Sequence, residues 1–170
     1  RLISQAKKRG IPSVYVAPPQ AWAWRPWRVR RLRQAGLVCC LFRFTTDWFC
    51  QRGVKARWMG HPLAHAIPPK PRRTDTICLM PGSRTSTVRR ILPHMVRLVN
   101  ALKRQKPNLK FACARAPEVP QTLLEDLLRV CETSVVISSD VEQALSRTQL
   151  VIAHPGTATL HAALRGCSVM

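Results

Sequence analysis

From Thr76 onward, short apolar runs alternate with stretches that repeat at the helical period, and few folds accept that order. Thr76–Met80, Leu109–Ala114, Val135-Val136-Ile137 and Leu150–Ala153 are the runs. Between the first two, Val88, Ile91, Leu92, Met95, Val99 and Leu102 fall on one helix face, and Leu123, Leu124, Leu127, Leu128 and Cys131 form a second stripe. Ser139-Asp140-Val141-Glu142 reads as a capping box opening a third helix, and Thr159–Arg165 as a fourth. Strands that are apolar throughout, rather than alternating, are buried on both faces, which is the habit of parallel sheets. The class is therefore α/β with a doubly wound parallel sheet.

The first part of the chain repeats the scheme less clearly. Ser13–Ala17 reads as a buried strand after a turn at Gly10-Ile11-Pro12, followed by a loop rich in Pro and Trp. A short basic helix over 28–34, a strand over 37–42, a helix over 46–51 and a strand over 56–59 complete it. Pro62, Pro68, Pro69 and Pro71 with Lys70, Arg72 and Arg73 mark an extended linker. The expected division is a domain over 1–60, a basic linker over 61–74 and a second domain over 75–170. The chain has no initiating Met and ends at Val169-Met170, where a strand begins. The expectation is a partial chain with both sheets incomplete.

Charge is as uneven as pattern. Residues 1–74 hold 16 basic residues and one acid, Asp47, a net charge of +15 out of +20 for the whole chain. That field favours an anionic partner: a phospholipid surface, nucleic acid or a phosphorylated substrate. The 7 Cys are odd in number and form no CxxC. Most sit in apolar runs, where Cys acts as a small hydrophobe, so a disulfide framework is not expected. No apolar run approaches the ~20 residues of a bilayer span, and the start has no signal-peptide pattern.

Two turns carry the chemistry. Pro81-Gly82-Ser83-Arg84 follows the strand ending at Met80, and His154-Pro155-Gly156-Thr157-Ala158-Thr159-Leu160 follows the strand ending at Ala153. Glycine lets a ligand approach the backbone, and a helix that starts there points free N–H groups at it. Two such turns in one βαβ series, the first with an arginine, predict a nucleoside diphosphate site. His61 and His65 are spaced as in a zinc helix, but Pro62 breaks that helix and no acid accompanies them, so no metal site is read there. The loop Pro18-Pro19-Gln20-Ala21-Trp22-Ala23-Trp24-Arg25-Pro26-Trp27-Arg28-Val29 has three readings: a platform for nucleic-acid bases, a packing loop, or a surface facing acceptor or membrane.

That loop, together with Gly60-His61-Pro62-Leu63, Pro81–Arg84 and Gly156–Leu160, resembles the lipid-A-disaccharide synthase family. The resemblance implies the glycosyltransferase-B fold of two Rossmann-like domains. It implies transfer of 2,3-diacylglucosamine from UDP to the 6-hydroxyl of 2,3-diacylglucosamine 1-phosphate, at the cytoplasmic side of the inner membrane of a Gram-negative-type bacterium. No metal or other cofactor is implied, and the UDP-sugar is substrate. Gly82, Ser83 and Arg84 would hold the diphosphate, while Gly156, Thr157, Ala158, Thr159 and His161 would hold the nucleoside. Gln20, Trp22, Trp24, Arg25 and Arg28 would face the acceptor cleft. The partners implied are the two lipid substrates and an anionic membrane surface, with no specific nucleic acid. The family's candidate general base is an aspartate upstream of Arg1, a position Asp47 does not match, so the catalytic residue stays unassigned and the 170-residue chain is expected to be inactive alone.

The departures from the family pattern are chemical. Thr45, Thr87 and His161 stand where the pattern has glutamate, and Pro155 where it usually has serine. A carboxylate can accept from two ribose hydroxyls at once and an imidazole cannot, so His161 should weaken the donor site. Two rival readings remain open. One is an inactive remnant that binds anionic lipid or nucleic acid. The other is a different UDP-sugar enzyme of the same fold, such as the peptidoglycan glucosaminyltransferase or the UDP-N-acetylglucosamine 2-epimerase, against which the Trp-Ala-Trp-Arg loop argues.

Overall fold

The computed structural model describes residues 2–66 and 74–170. The chain divides into two compact units, one within residues 1–66 and one within 67–170, each built on its own parallel sheet. Pro62–Ala66 forms a 3-10 turn in the first unit. The rest of the expected linker, with Pro68, Pro69, Lys70, Pro71, Arg72 and Arg73, lies outside the described residues.

The first unit runs α1 (Leu2–Lys8), β1 (Val14–Val16), a 3-10 turn at Pro26–Arg28 leading into α2 (Val29–Leu32), β2 (Leu37–Cys40), α3 (Arg43–Cys50) and β3 (Ala56–Trp58). Its strands lie side by side in chain order, all parallel. One apolar cluster serves the whole unit: Ala21, Val29, Leu32, Val38, Cys40, Phe49 and Val54, with Ile3 and Tyr15 packed against it. The buried strand expected over 13–17 is in fact half open. Tyr15 turns inward, while Val14 and Val16 remain 63% and 56% exposed. The reason is position: β1 is at the edge of a sheet whose helices pack into one cluster, so alternate side chains find no apolar partner. Helix α1 was not anticipated from the sequence, and it buries no residue completely.

The second unit continues with β4 (Thr76–Met80), α4 (Thr85–Gln105), β5 (Lys110–Ala114), α5 (Gln121–Leu128), β6 (Val135–Ser138), α6 (Val141–Ser146), β7 (Leu150–Ala153), α7 (Thr157–Leu164) and β8 (Ser168–Val169). Its strand order is β6-β5-β4-β7-β8, with every pair parallel. Central β4 is covered on both faces. Ile77 and Leu79 join the α4 and α5 side chains Val88, Leu92, Met95, Val99, Leu123 and Leu124 in one cluster. Cys78 and Met80 join Leu145, Val151, Ala162 and Cys167 in another. Fully burying a leucine such as Leu79 stabilises the fold by about 1.5–3 kcal/mol. The apolar stripe of α4 holds as read, with Val96 added to its buried face. Pro93 lies inside that helix, where it has no N–H to give the Arg89 carbonyl.

This strand order has a consequence for function. The chain winds outward from β4 through β5 to β6, then crosses back to β7 and winds the other way. Adjacent β4 and β7 thus send their following helices in opposite directions. Their carboxyl ends form a topological switch point, where open α/β sheets bind ligands.

Candidate functional site

Both glycine turns leave the sheet at that switch point. Met80 pairs with Ala153 in the β4–β7 register, and the next residue, His154, donates its N–H to the Met80 carbonyl at 2.9 Å. The turns touch: a Cβ built on Gly82 would stand 3.8 Å from the His154 ring and 3.0 Å from Thr87 Cγ2. With φ of +116° as well, position 82 admits only glycine without strain. Around Gly156 the space is open, with nothing within 4 Å of an added Cβ.

Helix ends decide what this corner can bind. Arg84 is the N-cap of α4 and Gly156 of α7, and neither helix has a side chain hydrogen-bonded to its first N–H groups. Helix α7 therefore begins two residues earlier than read from the sequence, with Thr157 and Ala158 in its first turn rather than in the loop. Thr159 folds back, its hydroxyl donating to the Gly156 carbonyl at 2.6 Å. Helix α6, beginning at the same edge of the sheet, differs. Asp140 Oδ1 accepts from the N–H groups of Glu142 and Gln143 at 2.9 and 3.1 Å. The capping box expected from Ser139 is thus displaced by one residue: Asp140 is the cap, because its carboxylate is the stronger acceptor for those donors. One helix end at this edge carries its own anion, and two leave theirs unfilled. Unfilled ends favour a phosphate, and Ser83 and Arg84 are both exposed beside the α4 end.

Three residues that the sequence reading passed over also reach this edge. Arg115 follows β5, its N–H donating to the Ser138 carbonyl at 2.8 Å, and its Nε is buried with no hydrogen-bond partner among the described residues. A cation directly after the apolar run ending at Ala114 was the available signal, the same one that marks Arg84. Glu142 and Arg165 are the others. His161 Nε2 donates to Glu142 Oε1 at 2.5 Å, and Arg165 pairs with Glu142 Oε2. Two helical turns joined through three charged or polar side chains leave no linear motif, so only the fold reveals them. Thr87 sits half-buried over Gly82, and Thr45 is buried on α3 with its hydroxyl unpartnered among the described residues.

In the first unit the Trp-rich loop is anchored by Ala21, which is fully buried, and opens outward from there. Trp22, Trp24 and Trp27 are all exposed. Trp24 stacks beneath two guanidinium groups, Arg25 at 4.0 Å and Arg28 at 5.3 Å from the ring centre. Trp22 meets Phe44 edge-on at 5.4 Å, Phe44 stacks on Phe42 at 5.7 Å, and Phe42 lies 5.8 Å from the His61 ring. Exposed Gln20 uses its carbonyl to accept from the N–H groups of Ala23 and Trp24 at 3.0 and 3.1 Å. Arg25 takes a left-handed conformation, φ +59°, which costs a non-glycine residue about 1–2 kcal/mol. A surface that holds aromatic rings and arginines outward in this way suits an amphipathic partner with negative charge.

A cavity of about 610 Å³ lies at the opposite end of the second sheet, beside Thr76 and Lys110, the first residues of β4 and β5. It contains none of the residues that the motifs single out, and it lies away from the switch point. Among the described residues, no cluster of three or more His, Cys, Asp or Glu has metal-binding geometry.

Comparison with known proteins points one way. The family model described as lipid-A-disaccharide synthetase matches residues 1–170. The chain is similar to the lipid-A-disaccharide synthase of Anaeromyxobacter sp. (strain K), 32% identical over 178 residues that make up 96% of this chain and 46% of that protein. The synthase of Gluconobacter oxydans (strain 621H) is 32% identical over 96% of this chain and 43% of its own length. That of Myxococcus xanthus (strain DK1622) is 28% identical over 96% of this chain and 46% of its own. The chain thus spans about half the length of the curated relatives it matches.

Proposed function

The chain belongs to the lipid-A-disaccharide synthetase family, and on that premise we propose that it holds the donor nucleotide in a UDP-dependent glucosaminyl transfer of lipid A assembly. In that reaction the bond from C1 of 2,3-diacylglucosamine to the β-phosphate of UDP breaks, and its electron pair leaves with UDP. A bond forms from C1 to the 6-oxygen of 2,3-diacylglucosamine 1-phosphate, whose hydroxyl proton passes to a base. The product is the β-1,6 disaccharide 1-phosphate.

One observation carries the reading: two uncapped helix ends, on adjacent strands at the switch point, flank a turn that presents Arg84. The diphosphate gains charge as it leaves. Fixed N–H donors of Gly82, Ser83 and the first turns of α4 and α7, with the Arg84 guanidinium, can neutralise that charge without a metal. Gly156, Thr157, Ala158, Thr159 and His161 lie along the first turns of α7, where the nucleoside would follow the diphosphate.

The acceptor and its membrane are the first unit's share of the proposal. Among the described residues no helix is long and apolar enough to cross a bilayer. A cationic surface with outward tryptophans instead supports peripheral docking on anionic lipid, at the cytoplasmic face of the inner membrane. Gln20, Trp22, Trp24, Arg25 and Arg28 would lie there beside the diacylated acceptor.

Calorimetry with UDP tests the nucleotide reading. Arg84→Ala should weaken UDP binding by about 1.5–3 kcal/mol, the usual worth of a charge-assisted hydrogen bond. Arg89→Ala, one turn further along α4 and exposed, should change it little. Equal losses would reduce the effect to net charge and refute a specific diphosphate site.

A further inference from the structure

The carboxylate of Glu142 is the feature at the switch-point edge that the diphosphate chemistry leaves unused. Helices α6 and α7 both start at the carboxyl ends of their strands, so Glu142, in the first turn of α6, and His161, in the second turn of α7, share that edge. Asp140 already caps α6, which frees Glu142 from that duty. Its carboxylate is gripped from the α7 side instead: Oε1 accepts from His161 Nε2, and Oε2 pairs with Arg165. The Arg165 side chain is 8% exposed and that of His161 23%, while Glu142 remains 46% exposed. Two partly sheltered donors therefore aim a carboxylate whose other side is open.

A carboxylate offers about four acceptor sites, of which the two contacts occupy one on each oxygen. The remaining pair can accept from two neighbouring hydroxyls at once. A vicinal diol is the ligand with that donor spacing, and a nucleotide whose diphosphate sits on the α7 end presents one on its ribose. His161 is poorly fitted to the task itself, since the carboxylate only accepts and so Nε2–H is already committed to it. We infer that Glu142 binds the ribose diol of the donor nucleotide, with His161 and Arg165 as the residues that position it. The inference rests on the reading of the Gly82 and Gly156 turns as a nucleoside diphosphate site. It also answers the absence of a glutamate at position 161: the carboxylate comes from the neighbouring helix.

The test compares UDP, 2′-deoxy-UDP and pyrophosphate by calorimetry on the 170-residue chain and its Glu142→Gln variant, an isosteric change that keeps the side chain's volume. The wild type should prefer UDP to 2′-deoxy-UDP. Glu142→Gln should weaken UDP roughly tenfold or more, as expected for hydrogen bonds to a charged acceptor, and bring the two nucleotides close to equal affinity. Pyrophosphate should bind both proteins alike. A merely structural ion cluster would behave differently: Glu142→Gln would weaken all three ligands together and lower the melting temperature. That result, or a wild type indifferent to the 2′-hydroxyl, overturns the inference and leaves the diphosphate site standing. A wild type that binds neither UDP nor pyrophosphate overturns both. His161→Gln is the second variant. Its amide can still donate to Glu142, so it should keep most of the preference for UDP, and a complete loss of that preference would assign the diol to His161 instead.

Discussion

The two units use the same strand–helix alternation and differ in what they leave outside. In the second, β4 is apolar at four consecutive residues and every one is buried, between α4 and α5 on one face and α6 and α7 on the other. In the first, one cluster serves three strands, and Val14, Val16, Trp22, Trp24, Trp27, Phe44, Trp58 and Met59 remain exposed. A two-faced sheet gives the rigidity that a fixed set of N–H donors requires. A one-faced sheet with outward aromatics and a net charge of +15 gives surface, and surface is what a lipid partner needs.

The sharpest way to break this comparison is to remove core on each side. Leu79→Ala, at a fully buried position of β4, should cost the second unit about 2–5 kcal/mol. Val14→Ala on β1 should stay within about 0.5 kcal/mol. All 5 Trp lie within residues 1–66, so their fluorescence follows only the first unit while far-ultraviolet circular dichroism follows both. Leu79→Ala should therefore shift the dichroism transition and leave the fluorescence transition in place. Coincident shifts would mean that the two units fold as one.

Surface function gives the next effect. Arg25→Gln and Arg28→Gln should each remove about 1 kcal/mol of binding to anionic vesicles, the worth of a cation near such a membrane. They should have no effect on UDP binding, and their effect should fade as salt rises. Equal loss on neutral vesicles would assign the surface to apolar contact alone.

Buried thiols give the smallest and most local effect. Burial pushes Cys78 and Cys113, on β4 and β5, from an ordinary value of 9.0 up to about 12. Unfolded thiols lose their protons first as pH rises, so between about pH 9 and 12 the unfolded chain binds fewer protons than the folded one. Stability of the second unit should fall across that window. In the first unit burial raises Cys40 as well, while Cys50 is exposed and should react with thiol reagents in the native protein. Labelling of Cys78 or Cys113 as fast as Cys50 at pH 8 would contradict the packing described for β4.

These contrasts follow how much the sequence disclosed. Strands of the second unit were readable almost to the residue, because burial on both faces writes an unbroken apolar run, as at Thr76–Met80 and Leu150–Ala153. Gly82 and Gly156 were readable because a turn between such a run and a helix has few alternatives. Strand β1 was misjudged in its burial, since Val14 and Val16 look the same whether or not a layer covers them. Helix α1 gave no stripe long enough to register. Glu142 and Arg115 escaped because their placement depends on which strands become neighbours. The order β6-β5-β4-β7-β8 is set by crossovers, on which no single stretch of sequence reports.

Pro93 gives α4 an unequal grip along its length. Without a proline N–H, the carbonyl of Arg89 loses its helical donor, and the turn preceding Pro93 is tied to the rest of the helix by one bond fewer. The two halves of α4 then differ in the free energy of local opening: the segment from Lys103 back to Met95 is held by the core, and the turns from Thr85 to Arg89 by less. A phosphate arriving at those turns does more than meet a preformed cradle. It supplies the missing tether, and the end of the helix that binds is the end that binding would quieten.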